Sequence, residues 1–339
     1  HVNESSEPVD HLGGLVSVVL VGALVLGINF LPTDGMQTVA VSALVIAAVA
    51  GILFVLRQRR AGNPLFDLQV GRRRIFWVAA VAGIVVFGTL MGTMYVSQQY
   101  LQNVLGYSTL ESGSAALPAA LVMVLVAPQS AKLVETRGSR FTLLAGYTAI
   151  VAGLVVAFVW WDADASYAVV ALGFMCLGAG VGLAGTPASR SLTGSVPINR
   201  AGMASGTADL QRDLGGAIVQ SILGAILTAG YTASLAGTIA ATPQAASVNE
   251  KTEAALEKSF AGAVNIAERY PQYAQQIIAA ARDAFLHGDS RAYAAAIGIV
   301  LLGALLVYLL FPRHEAETEL LARYAREDAA RDRSGTGQA

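Results

Sequence analysis

Cysteine is almost absent. Cys176 is the only one in 339 residues, which excludes an internal disulfide and a cysteine-based metal site. It sits among Phe174, Met175 and Leu177, where a small apolar-facing side chain is the plain reading. Histidine is scarce too: His1, His11, His287 and His314 offer no pair at metal-ligand spacing. All four lie outside the apolar runs, and no nucleophile, base and orienting group come together. Neither catalysis, a metal nor a cofactor is expected. Charge is also short. Asp, Glu, Lys and Arg make up 13% of the chain, about half the share in a soluble domain. The net charge of −1 gives nucleic acid no reason to bind. The opening "HVNESSEPVDHLGG" lacks the basic region of a signal peptide.

What the chain does contain is apolar sequence in long runs. Residues 12–33, 35–56, 75–110, 112–131, 141–161, 165–189 and 292–312 hold no Asp, Glu, Lys or Arg. With the opening segment at roughly 201–230, they give eight windows, each long enough for the ~20 residues of a membrane-crossing helix. Backbone hydrogen bonding in lipid allows only helices or closed barrels, and these runs are too long and uniform for barrel strands. The expected fold is an all-α polytopic membrane bundle with eight transmembrane helices. Lys and Arg orient it: six lie in 57–74, three in 132–140 and two in 190–200, while the intervening short loops have none. By the positive-inside rule these loops, and both ends of the chain, face the cytoplasm of an inner-membrane protein. Asp34, Glu111, Asp162 and Asp164 then face out.

The outward segment 231–291 reads as a helical hairpin on the surface, either an elaboration or a lid. Leu256, Phe260, Val264 and Ala267 recur at helical spacing, Pro271 breaks the run, and Gly288 suits a C-cap. The tail 313–339 alternates charge signs, which predicts a solvated helix that frays. Glycines four apart mark helix contacts: Gly88 and Gly92, Gly178 and Gly182, Gly202 and Gly206. The string "GAGVGLAG" lacks the strand and βαβ context of a dinucleotide fingerprint. Pro118, Pro128 and Pro187, the last placed at the end of the sixth span, can break or kink helices.

"GMASGTADLQRDLGGAIVQSILGAILTAGY" is apolar enough for a membrane yet carries Asp209, Arg212 and Asp213. Ser205, Asp209, Arg212, Gly216 and Gln220 form one stripe of a helix, with Asp213 beside it. Lipid cannot satisfy that stripe, so it must face protein or water. Two readings stand: a latch in which a carboxylate neutralises Arg212, or a carboxylate that binds a proton or a cationic substrate. Gln98 and Gln99, and Gln129 in the fourth span, are cavity-lining candidates along with Gln220; Gln98 and Gln99 also suit the outer interface beside Tyr100.

Several motifs share one resemblance. "YLQNVLGYSTLESGSAALP" resembles the third-to-fourth span junction, and "NPLFDLQVGRRR" the preceding cytoplasmic link, in the second half of fourteen-span drug/proton antiporters of the major facilitator superfamily. "AKLVETRGSR" is similar to the degenerate copy of that superfamily's loop motif. Gly138 and Arg140 fit, Arg137 stands for the central arginine, and Ala131 and Thr136 depart. "SVPINRAGMASGTADLQRDLGGAI" matches at Pro197, Gly202, Arg212, Leu214, Gly215 and Gly216; the family usually has a neutral residue at Asp209. The resemblance implies two linker helices within 13–56, a basic cytoplasmic loop at 57–74, and the six-helix C-terminal bundle over 75–312. It also implies that residues 1–12 begin a fragment, with the N-terminal six-helix bundle missing, or that the chain is a half-transporter pairing with another subunit. The implied activity is proton-coupled efflux of small amphipathic compounds by alternating access, with gates around the fourth and seventh spans. Export of a lipid or cell-envelope precursor, and a non-transporting scaffold or sensor, remain as alternatives.

Overall fold

The computed structural model describes residues 10–31, 35–241 and 250–335. The features expected at 1–9, Asp34, 242–249 and 336–339 lie outside the described residues. Helices α1 (His11–Phe30) and α2 (Gln37–Arg60) form a hairpin, and one turn, α3 (Leu68–Gly71), leads into α4 (Arg74–Asn103). Next come α5 (Thr109–Ala115), α6 (Leu117–Arg137), α7 (Ser139–Trp160), α8 (Tyr167–Gly194) and the 40-residue α9 (Ala201–Ala240). Two short helices, α10 (Glu250–Lys258) and α11 (Phe260–Arg269), precede α12 (Ala274–Leu310) and α13 (His314–Gly335). Among the described residues there is no strand, and eight helical stretches are long and apolar enough to cross a membrane, the number expected.

The six helices after the hairpin pack as two repeats. α4 lies against α8, α9 and α12, while α7 lies against α8 and α12, and α6 against α8. The pairing of α4 with α9 corresponds to that of α8 with α6, and α4 with α12 to α8 with α7. α4 and α8 run in opposite directions, so the two three-helix units are inverted. Small residues set the crossings. A Cβ on Gly88 would lie 2.6 Å from the Gly215 carbonyl oxygen, and one on Gly178 would collide with the Ala119 carbonyl. Without an aqueous driving force between helices, such close backbone contact supplies the packing. Gly202 and Gly206 take no part, for nothing lies within 4 Å of a Cβ at either. The buried side of that turn is Met203 and Ala204 instead.

The prolines behave differently from one another. Pro118 falls in the first turn of α6, where its missing N–H costs nothing, and α5 and α6 meet at Ala116. Pro187 does not end its span: α8 runs through it to Gly194. Gly288 does not cap a helix either, because α12 is continuous from Ala274 to Leu310. Its missing side chain serves a crossing: a Cβ on Gly230 would lie 2.6 Å from the Gly288 Cα. The region expected as a surface hairpin is therefore partly made of the extended ends of α9 and α12. At 40 residues α9 is about 60 Å long, roughly twice the hydrocarbon thickness. α10 and α11 pack between these ends. The Tyr231 hydroxyl donates to the Leu256 carbonyl at 2.9 Å, and the Phe260 and Phe285 rings meet edge to face. The break expected at Pro271 is present as a 3-10 turn, Pro271–Tyr273.

The tail is the expected helix, exposed over most of its surface, but one face is docked. α13 places Glu317, Leu320, Leu321, Tyr324 and Asp328 toward the bundle. Arg73 forks onto the Asp328 carboxylate, donates to the Ser195 carbonyl at 2.6 Å and lies over the Tyr324 ring. Glu317 accepts the Ser139 N–H at 3.1 Å, covering an orphan donor at the start of α7. The charge pattern that looks solvated in sequence has partners waiting at three helix ends. These contacts, with Arg200 donating to the Pro64 carbonyl at 2.7 Å, gather the basic segments at one end of the bundle.

The α1–α2 hairpin is clasped at that same end. The Asp10 side chain accepts the Gly13 N–H at 3.0 Å and the Arg57 guanidinium at 2.9 and 3.1 Å. The Gly13 N–H first, and Arg57 second, hold the Asp10 carboxyl below its ordinary value of 3.8. Its contribution is present above that value and lost as pH falls through the lower folded one. Spin labels on α1 and α2 are expected to keep their separation at neutral pH and part only in strong acid. Asp10→Asn should part them at every pH; an unchanged distance in that variant contradicts the clasp.

Candidate functional site

The close crossing at Gly88 and Gly215 fixes the rotation of α9. Gly215, Val219 and Leu223 then face α4, and the other side of the helix is left open. Asp209, Arg212, Asp213 and Gln220 are all exposed on that side, and Ser205 is too. Of the predicted stripe only Gly216 is buried, against Met91. The Arg212 guanidinium lies 3.7 Å from Asp209 in its own helix, with the two side chains 49% and 73% exposed. Its contact with a neighbouring helix is the Phe87 ring of α4, 5.0 Å from ring centre to guanidinium carbon. Phe87 in turn lies against Gly185 of α8. The cluster thus stands where α4, α8 and α9 meet. Among the described residues Asp213 joins no ion pair.

The glutamines divide. Gln98 is half-buried and donates to the Ser112 carbonyl at 3.0 Å, tying α4 to α5. Gln99 is half-buried and accepts from Asn103 at 3.0 Å. Gln129 is exposed and donates to Leu125 within α6 at 3.2 Å. At the loop motif, Gly138 has φ 84° and joins α6 directly to α7, a backbone position suited to glycine. Arg137 lies over the Phe141 ring. Arg140 donates to the Tyr308 carbonyl at 2.5 Å and Arg74 to that of Leu310 at 2.5 Å. Both arginines thereby satisfy orphan carbonyls at the end of α12, where cations are favoured. Among the described residues no three His, Cys, Asp or Glu side chains are grouped to hold a metal ion.

Two buried polar groups escape the sequence reading. Gln211 is 1% exposed between α9 and α4, beside Gly83, and both its amide atoms lack a partner. Asp289 of α12 is 2% exposed, and its Oδ1 has no partner. One turn on, the Tyr293 hydroxyl is 3.2 Å from Ser97 of α4. The Trp161 ring stacks on Tyr100 at 5.3 Å and meets Tyr293 edge to face at 5.7 Å. The available signal was the spacing of Phe285, Asp289 and Tyr293, which puts the carboxyl on the buried face of a helix. A charge-free window starting at residue 292 cuts that pattern off.

Inverted three-helix repeats in an all-helical membrane bundle recur among secondary transporters. Residues 9–220 match the sequence pattern of the Major Facilitator Superfamily, and the chain belongs to that family. It is 35% identical over 234 residues to the multidrug resistance protein Stp of Mycobacterium tuberculosis, covering 69% of this chain and 43% of Stp. With the multidrug efflux pump LfrA of Mycolicibacterium smegmatis it shares 28% identity over 307 residues, covering 90% of this chain and 59% of LfrA. The chain therefore spans less than two thirds of either relative. A solved bacterial homologue of the human lysosomal transporter Spinster, inward-facing and occupied, superposes with a TM-score of 0.51 at 18% identity. That likeness covers 88% of this chain and 66% of the other and concerns the fold.

Proposed function

We propose that the chain supplies the linker pair and C-terminal bundle of a proton-coupled exporter of small amphipathic compounds, in the fourteen-span antiporter branch. The observation that carries the reading is the open face of α9, where Asp209, Arg212 and Asp213 stand exposed on a helix long enough to cross the bilayer. Lipid cannot satisfy those charges, so the face is read as one wall of a cavity closed by a second six-helix bundle. The relatives named for multidrug resistance and efflux support the cargo class. The gathered Lys and Arg support a cytoplasmic basic end in the inner membrane, with gates around the crossings that contain α6 and α9. Alternating access then exposes the face to each side in turn. In this reading Asp209 carries the proton and Arg212, held over Phe87, fixes the local arrangement of α9.

The test is transport in inside-out vesicles holding the full-length protein, with a fluorescent amphipathic cation and an imposed proton gradient. Asp209→Asn is expected to reduce proton-driven accumulation by about tenfold, equal to ~1.4 kcal/mol. Unchanged accumulation removes Asp209 from the coupling. Accumulation indifferent to the gradient in the unsubstituted protein removes the exporter reading.

A further inference from the structure

We infer that Asp289 is a proton-binding site, one turn from Tyr293 in a cluster of aromatic rings whose Tyr100 reaches the end of the bundle opposite the basic loops. The site deepens the proton-coupled reading and takes its purpose from it, but the binding is a property of the folded bundle. Four observations converge. Asp289 is 2% exposed and its Oδ1 has no partner. Tyr293, one turn on in α12, is buried, and so are Tyr100, Trp161 and Phe174, which join it in one cluster of rings. Their rings are in contact, with centroids 5.3 to 5.7 Å apart. The Trp161 indole N–H, which lies against Gly173 of α8, is also buried without an acceptor, so the ring cluster holds an unpaired donor as well.

A carboxylate buried without a counter-charge is costly, and a bound cation would remove the cost. Rings packed at contact distance leave no room for an organic cation. A metal ion would need several oxygen ligands, and among the described residues no acidic cluster surrounds the site. A proton fits. It comes from water, forms one O–H bond with a carboxylate oxygen, and returns to water when that bond breaks and the carboxylate reforms. The groups facing the carboxyl are few. Tyr100 comes from α4, with Tyr107 beyond it, and Tyr293 from α12 itself. Tyr231 of α9 lies next to Gly288, and Tyr147 of α7 is bonded to the Ala82 carbonyl. Arg291 lies against Gly230 of α9 with its side chain exposed, and Asp283 and His287 pair on the exposed side of α12. α11 brings only the exposed Glu268 and Arg269.

The Tyr100 hydroxyl donates to the Asp162 carbonyl at 2.7 Å, in the α7–α8 connection. That contact links the ring cluster to the chain surface. On the other side the Tyr293 and Ser97 hydroxyls, 3.2 Å apart, lead inward between α12 and α4.

The proposal is tested by infrared difference spectra of the full-length protein in lipid nanodiscs, titrated with pH. A carbonyl band of a protonated carboxyl is expected to appear and vanish with pH, and to be absent in Asp289→Asn. Asp283→Asn, on the exposed side of the same helix, should keep the band. Tyr100→Phe and Tyr293→Phe keep the carboxyl and should move the midpoint by about one pH unit, a tenfold change in proton affinity. If Asp289→Asn fails to fold, those two midpoints decide. A band that survives in a folded Asp289→Asn, midpoints unmoved in both tyrosine variants, or a midpoint that follows sodium concentration overturns the inference. The band is read without transport, so failure of proton-driven efflux and failure of this site are separate results.

Discussion

Arg73→Ala is expected to destabilise the protein by about 3–5 kcal/mol, the usual cost of breaking a buried pair by removing one partner. The Arg73 and Asp328 side chains are 6% and 13% exposed. Removing the guanidinium strands the Asp328 carboxylate, frees the Ser195 carbonyl and takes away the cation over Tyr324. The start of α4, the end of α8 and the tail helix all lose their common anchor. Arg73→Lys keeps the charge but not the planar fork, so a smaller loss is expected. Thermal unfolding in detergent, with hydrogen exchange to follow α13, measures both. A melting curve unchanged in Arg73→Ala would mean that the tail is not docked as described.

Gly178→Val is expected to cost at least as much as ordinary overpacking, about 1–3 kcal/mol, and to lower the folded yield in the membrane. The obstacle is backbone: a Cβ at 178 meets the Ala119 carbonyl group of α6. A flexible side chain could move aside, whereas a helix backbone moves only with its whole element. α6 has α8 as its main neighbour, so a displaced contact there releases most of its packing. Gly202→Val is the control. It has the same chemistry, with nothing within 4 Å, and its effect should stay within about 0.5 kcal/mol. Equal losses in the two variants would contradict the crossing.

The crossings were readable from sequence because lipid imposes a long, uniform apolar signal. Loop chemistry went unread although its residues are local: Gly138 sits at a positive φ, and Ser108 with Glu111 forms a capping box. The basic segments and the break at Pro271 are local features that the sequence did show. What else failed to show depended on distant partners. The tail reads as solvated because its charges alternate, and nothing near Asp328 in sequence announces Arg73. Spacing proposed Gly202 and Gly206 as a contact just as it proposed Gly178 and Gly182, but only the latter pair faces a helix. At Gly288 the same residue type that caps helices serves a helix crossing, since its partner Gly230 lies on another element.

The candidate site was half legible. The stripe on α9 is periodic and local, so its exposed side was identifiable from 3.6-residue spacing. The contact of Arg212 with Phe87 was not, because it joins α9 to α4. Asp289 was passed over for another reason. His287, Ser290 and Arg291 beside it look like a surface helix, and the opposing signal, Phe285 and Tyr293 one turn to either side, was cut off by the charge-free window that starts at residue 292.

The most direct measurement is labelling of single cysteines in intact cells, starting from a Cys176→Ala background, with a reagent that cannot cross the membrane. Cysteines placed at Asp164, and on α11 at Glu268, should react from the medium. Those placed at Gln69 and Thr136, both at the basic end of the bundle, should react only after the membrane is opened. Labelling of the Gln69 or Thr136 position in intact cells would contradict the assigned orientation, and with it the export direction built on it.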